Sequence, residues 1–159
     1  LAQKLKSNFN EKNIEINNMA LSDKSSVRKF YEYKISSQSS LYKQNDIFKS
    51  LKSLKKISKV KTITFDQKFK KKMKVDFCKI DVQGEELKVL KGMKNNLKSH
   101  NIKLIKIEIA FVERYLGVKS NFFDIISYLI KFNYHLVSIS KIKYKNNRIL
   151  FMDAYFISK

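Results

Sequence analysis

The sequence predicts an α/β fold organised around residues 75–92. The apolar run at 75–80 is typical of a strand, and Asp81 follows where that strand ends. A turn at 83–84 leads into a helix that opens at 85–86, with leucines at helical spacing behind it. A strand, a tight turn and a helix in this order form half of a βαβ unit.

The periodicity of the other segments predicts the rest of the fold. The runs at 134–140 and 149–157 are typical of strands, and Asn146 and Asn147 between them favour a hairpin turn, so an antiparallel pair is expected at the end of the chain. The remaining predictions are a helix end at 1–10, a strand at 14–21, a hairpin or loop from 27–35 and 40–43, a short helix or disordered loop at 43–58, a strand at 59–65, a helical turn at 66–72, a strand at 102–111, and a helix from Asn121 to Asn133.

Composition restricts the class of protein. A hydrophobic fraction of 43% is enough for a core, and no apolar run approaches the ~18 residues that a membrane-spanning helix needs. We see no signal peptide at the start of the chain. The single cysteine, Cys78, lies inside a predicted strand and cannot form an intrachain disulfide, which fits the cytoplasm.

The formal net charge of +20 raises the alternative of a basic nucleic-acid-binding domain. The basic residues are nearly all lysines, and the arginines that base recognition favours are Arg28, Arg114 and Arg148. Lys, Asn, Ile, Phe and Tyr are all abundant, which an A/T-rich coding sequence explains without a polyanionic partner. We therefore expect no specific nucleic-acid partner.

Two carboxylates stand out as candidate functional groups. Ligands of open α/β sheets bind outside the carboxyl ends of the strands, where Asp81 is predicted to lie. Asp81 could equally cap the following helix. Glu108 interrupts an apolar strand and needs a neighbouring lysine, a surface edge or a place in the site. His100 and His135 show no metal-ligand spacing, so no metal is predicted.

The residues KIDVQGEELKVLKG at 79–92 carry a family resemblance. They resemble the signature K-I-D-x-[EQ]-G-x-E-x-x-[VL]-L-x-G of the FkbM-type S-adenosylmethionine-dependent methyltransferases. The segments NMALSD, FYEY, VKTITFD, IKLIKIEIAF and DAYFIS are similar to the same family in the same order. The resemblance spans essentially the whole chain.

The resemblance implies a fold, a reaction and a set of site residues. The fold would be a Rossmann-like class I methyltransferase sheet with an antiparallel C-terminal strand pair. The cofactor would be S-adenosyl-L-methionine, and the acceptor would be an oxygen on a sugar or another small molecule. The implied residues are Asp81 and Glu108 for catalysis, Ala20, Leu21, Ser22, Asp23 and Asp81 for the cofactor, and Ser40 and Glu108 for the substrate.

Parts of the family pattern are missing. The family begins with a strand, a Gly-rich loop of the form D-x-G-A-N-x-G and a second strand ending in Glu-Pro, and this sequence, which begins at Leu1, contains none of them. We therefore expect residues 1–159 to be one methyltransferase domain without its first strands, which alone binds S-adenosylmethionine weakly or not at all and is inactive. The alternative is a catalytically inactive Rossmann-like binding module.

Overall fold

The computed structural model describes residue 7 and residues 13–46, 54–69, 73–118 and 122–159. The helix end predicted at 1–10 lies outside the described residues except for Ser7, and the helix start predicted at Asn121 also lies outside them. No helix in the described part of the chain is long and apolar enough to cross a membrane.

A four-stranded sheet forms the larger part of the structure. Its strands are β4 (Val75–Ile80), β5 (Ile102–Ala110), β6 (Tyr134–Lys145) and β7 (Arg148–Ser158), in the order β4-β5-β7-β6. β4 and β5 are parallel, and β7 runs antiparallel to both β5 and β6. Because β4 and β5 are parallel, their carboxyl ends lie next to each other, along the edge of the sheet that runs across the strands.

The turn at Asn146 and Asn147 joins β6 to β7. Both residues have positive φ angles, 49° and 58°, which a two-residue type I′ hairpin requires and asparagine tolerates. Asn133, with a φ of 58°, lies in the turn after the preceding helix, which ends at Ile130 and so is shorter than predicted. The asparagines that the sequence predicts as turn residues therefore have positive φ angles, the backbone conformation that favours asparagine.

Helices pack on one face of this sheet to form the core. They are α2 (Glu86–Lys91), α3 (Lys94–Lys98) and α4 (Phe122–Ile130). Fully buried side chains from both layers meet in one cluster, which includes Leu90, Met93, Leu97, Ile105, Ile107, Ile109, Ile125, Leu129, Tyr134 and Phe156. The alternation of buried isoleucines with half-buried residues along β5 leaves the other face of that strand for polar side chains.

The single helix predicted after residue 85 is divided in two. Asp66 accepts hydrogen bonds from the backbone N–H groups of Asn95 (2.8 Å) and Asn96 (3.1 Å), so a new helix begins there with its own cap. Gly92 lies at the break, where an added Cβ would come within 2.1 Å of the Ser22 carbonyl oxygen. The break thus follows from contacts with distant parts of the chain.

A three-stranded sheet precedes the larger one in sequence. It contains β1 (Ala20–Leu21), β2 (Ser26–Tyr33) and β3 (Leu54–Ile63), in the order β1-β3-β2. β1 is parallel to β3, whereas β2 is antiparallel to it. Helix α1 (Phe65–Lys68) follows β3 and begins with a capping box formed by Thr64 and Gln67.

Several predicted elements of this first half are wrong in extent or pairing. The strand predicted at 14–21 is restricted to β1, and the hairpin of 27–35 with 40–43 is reduced to one bridge between Tyr31 and Ser40, because β2 pairs with β3. β3 begins at Leu54, inside the segment predicted as helix or loop. Leu54 and Ile57 are about half exposed, so the helical spacing of apolar residues in this segment does not correspond to a buried helix face.

β4 has the predicted boundaries, but it is not the buried strand that its composition suggests. Phe77 is 51% exposed and Lys79 is also exposed. β4 is the outermost strand of its sheet, so one of its edges has no ladder partner among the described residues.

Candidate active site

The two candidate carboxylates lie at the same edge of the larger sheet. Asp81 directly follows β4, and Glu108 lies on β5 close to the strand's end at Ala110. Since β4 and β5 are parallel neighbours, this is the edge at which α/β proteins bind their ligands. The side chains of Asp81 and Glu108 are 34% and 18% exposed, so both reach solvent.

Gln83 joins the two carboxylates. Its Nε2 atom donates to Asp81 Oδ1 at 2.8 Å and lies 3.4 Å from Glu108 Oε1. The other end of the same amide, Oε1, accepts a hydrogen bond from the Tyr115 hydroxyl at 2.8 Å. One side chain therefore links the ends of two strands.

The turn that carries Gln83 is held in an unusual conformation. Gln83 has a φ of 54° and Gly84 has a φ of 105°, both in the left-handed half of backbone space. The Ser40 hydroxyl donates to the Gln83 carbonyl oxygen at 2.6 Å. Ser40, predicted as a substrate contact, is only 1% exposed, and its hydrogen bond stabilises the turn. Its substrate role stays a prediction.

Glu86 secures the same turn from the helix side. Its carboxylate accepts from the Gly84 N–H at 3.0 and 3.1 Å and from the Val82 N–H at 3.3 Å. Burial raises the pKa of Glu86 to about 7, against the lowering effect of these backbone hydrogen bonds. The second acidic residue of the turn is therefore a buried structural group.

Asp81 and Glu108 differ in their affinity for protons. Burial would raise the pKa of Asp81, but hydrogen bonds from Lys79 and Gln83 outweigh it and hold the pKa below its usual value. Burial and the charge of Asp81 raise the pKa of Glu108, against the opposing charge of Arg114. Neighbouring carboxyl groups whose pKa values move apart are suited to different roles.

Arg114 completes the charged groups of the site. Its guanidinium lies 3.9 Å from Glu108 Oε1, in the loop that follows β5. Between Arg114, Glu86 and Glu108 lies a cavity of about 20 Å³, also lined by Tyr115. The cavity has room for about one water molecule.

The residues predicted to bind adenine lie on the smaller sheet. Ala20 and Leu21 form β1, and Leu21 lines an apolar groove of about 290 Å³ that is also lined by Ile80 and Val82. Ile80 and Val82 are the chain neighbours of Asp81, which itself does not line the groove. Part of the predicted cofactor set therefore lies in one groove with the residues on either side of Asp81.

Ser22 and Asp23 have contacts of their own. The hydroxyl of Ser22, which is 1% exposed, donates to a carboxylate oxygen of Glu85, and this oxygen also receives the guanidinium of Arg28. Asp23 is exposed and accepts from the Ser22 hydroxyl at 3.1 Å. Ser22 therefore connects the end of β1 to the start of α2, and the adenine contact predicted for both residues stays a prediction.

Sequence reasoning missed Gln83, Glu86, Arg114 and Tyr115 as members of the site. The sequence did contain a signal for Arg114, because this charged residue lies in the loop after β5, as Asp81 lies after β4. Gln83 and Glu86 were part of the quoted motif, but their spacing gave no sign of their partners. In the described ranges, no group of three His, Cys, Asp or Glu residues could hold a metal ion.

The fold and the site define an α/β protein with a pair of carboxylates at the ligand-binding edge of its sheet. The sequence model of the Methyltransferase FkbM domain matches residues 1–136. The chain therefore belongs to the FkbM methyltransferase family, which confirms the family predicted from the motif at 79–92. Neither the comparison with curated proteins nor the comparison with solved structures returned a match.

Proposed function

We propose that this protein is an S-adenosylmethionine-dependent methyltransferase that methylates a hydroxyl group of a small molecule such as a sugar. The family match supports methyltransferase activity. The observation that carries the proposal is the joined pair of Asp81 and Glu108 at the carboxyl ends of two parallel strands. A pair of carboxyl groups with opposite pKa shifts supplies one ionised group and one proton acceptor.

Each carboxylate has a distinct role in this proposal. S-adenosylmethionine, when bound, supplies an activated methyl group. The chain then has to hold the acceptor hydroxyl in line and remove its proton. Glu108, whose pKa stays raised despite the charge of Arg114 at 3.9 Å, takes up that proton, and the ionised Asp81 orients the cofactor's amino group.

The residues present fit part of the cofactor. The end of the groove at Leu21 and Val82 is apolar, which suits the flat face of adenine. Ala20 extends the same strand, and Ser22 and Asp23 follow it with oxygen atoms that could accept from the exocyclic amine. Ser40 would act on the acceptor side through its hydrogen bond to Gln83.

We further propose that the larger sheet is the C-terminal half of a Rossmann-like methyltransferase sheet within one domain. The order β4-β5-β7-β6, with β7 antiparallel to both neighbours, supports this assignment. The free edge of β4 and the exposed Phe77 beside it are where further parallel strands would add.

The test is a methyl-transfer assay on the protein expressed from the whole open reading frame that contains these residues. Radiolabelled S-adenosylmethionine is supplied with a panel of hydroxyl acceptors, including monosaccharides. We expect Glu108→Gln to lower kcat by on the order of a hundredfold and Asp81→Asn to raise the KM for the cofactor. Asp76→Asn, at the opposite end of β4, is the matched control and should retain the parental rate. Full activity in both site variants would contradict the proposal.

An inactive binding module of the same fold is the second candidate. The glycines Gly84, Gly92 and Gly117 are the only ones in the chain, and Gly84 and Gly92 both lie at turns packed against other side chains or backbone. None of the three belongs to a D-x-G-A-N-x-G loop. If the open reading frame supplies no such loop upstream of Leu1, the inactive module is favoured.

A further inference from the structure

We propose that Gln83 is a positioning residue that holds Asp81 and Glu108 as one unit. This inference rests on the proposed function, because it assigns the pair its working geometry. Gln83 itself need not touch the substrate or the cofactor. Its contribution is to present one N–H hydrogen to each carboxylate.

The hydrogen-bond network determines which way the Gln83 amide faces. The Tyr115 hydroxyl lies 2.8 Å from Gln83 Oε1 and 3.0 Å from the Gln38 carbonyl oxygen. A carbonyl can only accept, so the phenolic hydrogen lies between two acceptors. In the reverse orientation, the amide oxygen would face both carboxylates, and Gln83 would donate a hydrogen bond to neither. The amine end of Gln83 therefore has to face Asp81 and Glu108.

The backbone of Gln83 is held as firmly as its side chain. Its φ of 54° is uncommon for a residue other than glycine, and such conformations persist only where surrounding contacts fix them. The Ser40 hydroxyl binds its carbonyl oxygen, and the Glu86 carboxylate binds the N–H groups on either side, at Val82 and Gly84. These contacts aim the side chain between the two strand ends.

Other charged groups also face the pair, and they must be separated from the effect of Gln83. They are Lys79 on β4, Glu86 on α2, Arg114 in the loop after β5, and Asp153 on β7. Lys79 contacts only Asp81 within salt-bridge distance, and Arg114 only Glu108. Gln83 is the side chain whose hydrogen bonds reach both carboxylates. The charge of Arg114 also lowers the pKa of both groups, so the test has to remove the hydrogen bonds of Gln83 while Arg114 stays in place.

The experiment is a carbon-13 NMR titration of the side-chain carboxyl groups in the 159-residue chain. Gln83→Leu removes both donors, so the titration midpoints of Asp81 and Glu108 should rise together, by roughly one pH unit each. Gln83→Glu also adds a negative charge and should move both midpoints further. Tyr115→Phe removes the group that orients the amide and should move both in the same direction by less. Gln38→Leu, which keeps the backbone carbonyl that faces Tyr115, is the matched control and should leave both midpoints at their parental values.

Two results would overturn the inference. A purely structural Gln83 would lower the urea midpoint of unfolding in Gln83→Leu and leave both carboxyl titrations unchanged. A rise at Asp81 alone would show that the contact with Glu108 has no effect. If Gln83→Leu does not fold, Tyr115→Phe decides, and unchanged midpoints in that variant reject the proposal.

The titration and the methyl-transfer assay can fail separately. The titration needs neither S-adenosylmethionine nor an acceptor, so it tests Gln83 even if no transfer is found. In an active enzyme, Gln83→Leu should also shift the acid limb of the pH profile of kcat/KM to higher pH. The shift should be about as large as that of the Glu108 titration midpoint. If Gln83→Leu transfers methyl groups and its acid limb lies at the parental pH, the proposed function stands and the positioning role of Gln83 is wrong.

Discussion

Glu86 is buried beneath the turn that carries Gln83, and its titration should be visible in the stability of the whole chain. Its pKa in the folded protein is about 7, compared with an ordinary value of 4.5. Between these two pH values the folded protein keeps a proton on Glu86 that the unfolded chain has released. The free energy of unfolding should therefore fall as the pH rises through this window, and Glu86 should cause no further change in it below or above the window.

The size of the effect follows from the gap between the two pKa values. Each unit corresponds to about 1.36 kcal/mol, so Glu86 alone should remove about 3 kcal/mol of stability between about pH 4.5 and about pH 7. Glu86→Gln removes this titration and keeps one oxygen that can accept from the Gly84 N–H. Its free energy of unfolding should therefore depend less on pH than that of the parent.

Urea unfolding near pH 4 and near pH 8 measures this difference. The other carboxyl groups titrate in both proteins, so the comparison between parent and Glu86→Gln isolates Glu86. Glu113→Gln is the matched control, because Glu113 also accepts a backbone N–H, from Gly117 at 2.8 Å, but on the surface. If parent and Glu86→Gln lose the same free energy between the two pH values, the buried position assigned to Glu86 is wrong.

Three further predictions concern the packing around the site. Arg28→Met removes the nearer of the two cations beside the buried carboxylate of Glu85 and leaves Lys88 at 4.0 Å, so it should lower the free energy of unfolding by about 3 kcal/mol in urea titrations; an unchanged value would show that the ion pair is unimportant. Gly92→Ala places a Cβ 2.1 Å from the Ser22 carbonyl oxygen and should lower the thermal midpoint by several degrees, whereas a midpoint equal to that of the parent would contradict this close approach. Phe77→Thr replaces a large side chain that is 51% exposed at the free edge of β4 and should reduce light scattering from aggregates, and scattering equal to the parent would show that this edge does not drive association.

Local sequence signals predicted the elements whose structure depends on neighbouring residues. The strand at Val75–Ile80 has its predicted limits, and the asparagines at 146 and 147 adopt the turn that their residue type favours. Asp81 lies at the end of the strand, as the strand–turn–helix order indicated. In each case the physical cause lies within a few residues of the observed feature.

Features that depend on distant contacts could not be predicted in this way. The pairing of β1 with β3 and the division of the helix at Gly92 depend on contacts between residues far apart in the chain. The bridge formed by Gln83 depends on Tyr115, 32 positions later, and its turn depends on Ser40, 43 positions earlier. Burial of β4 was overestimated because a strand composition cannot show that the strand lies at the edge of its sheet.

We propose that the edge formed by Asp81 and Glu108 is the cofactor and methyl-transfer site. The most direct test maps the backbone amide signals of the 159-residue chain by nitrogen-15 NMR while S-adenosylmethionine is added. We expect weak, saturable binding on the order of 0.1–1 mM, with the largest changes at residues 20–23, 81–84 and 108–110. Asp81→Asn should reduce these changes, and Asp76→Asn should preserve them. Changes centred on another surface would contradict the account, and sub-micromolar binding would contradict the expectation that this stretch alone holds the cofactor weakly or not at all.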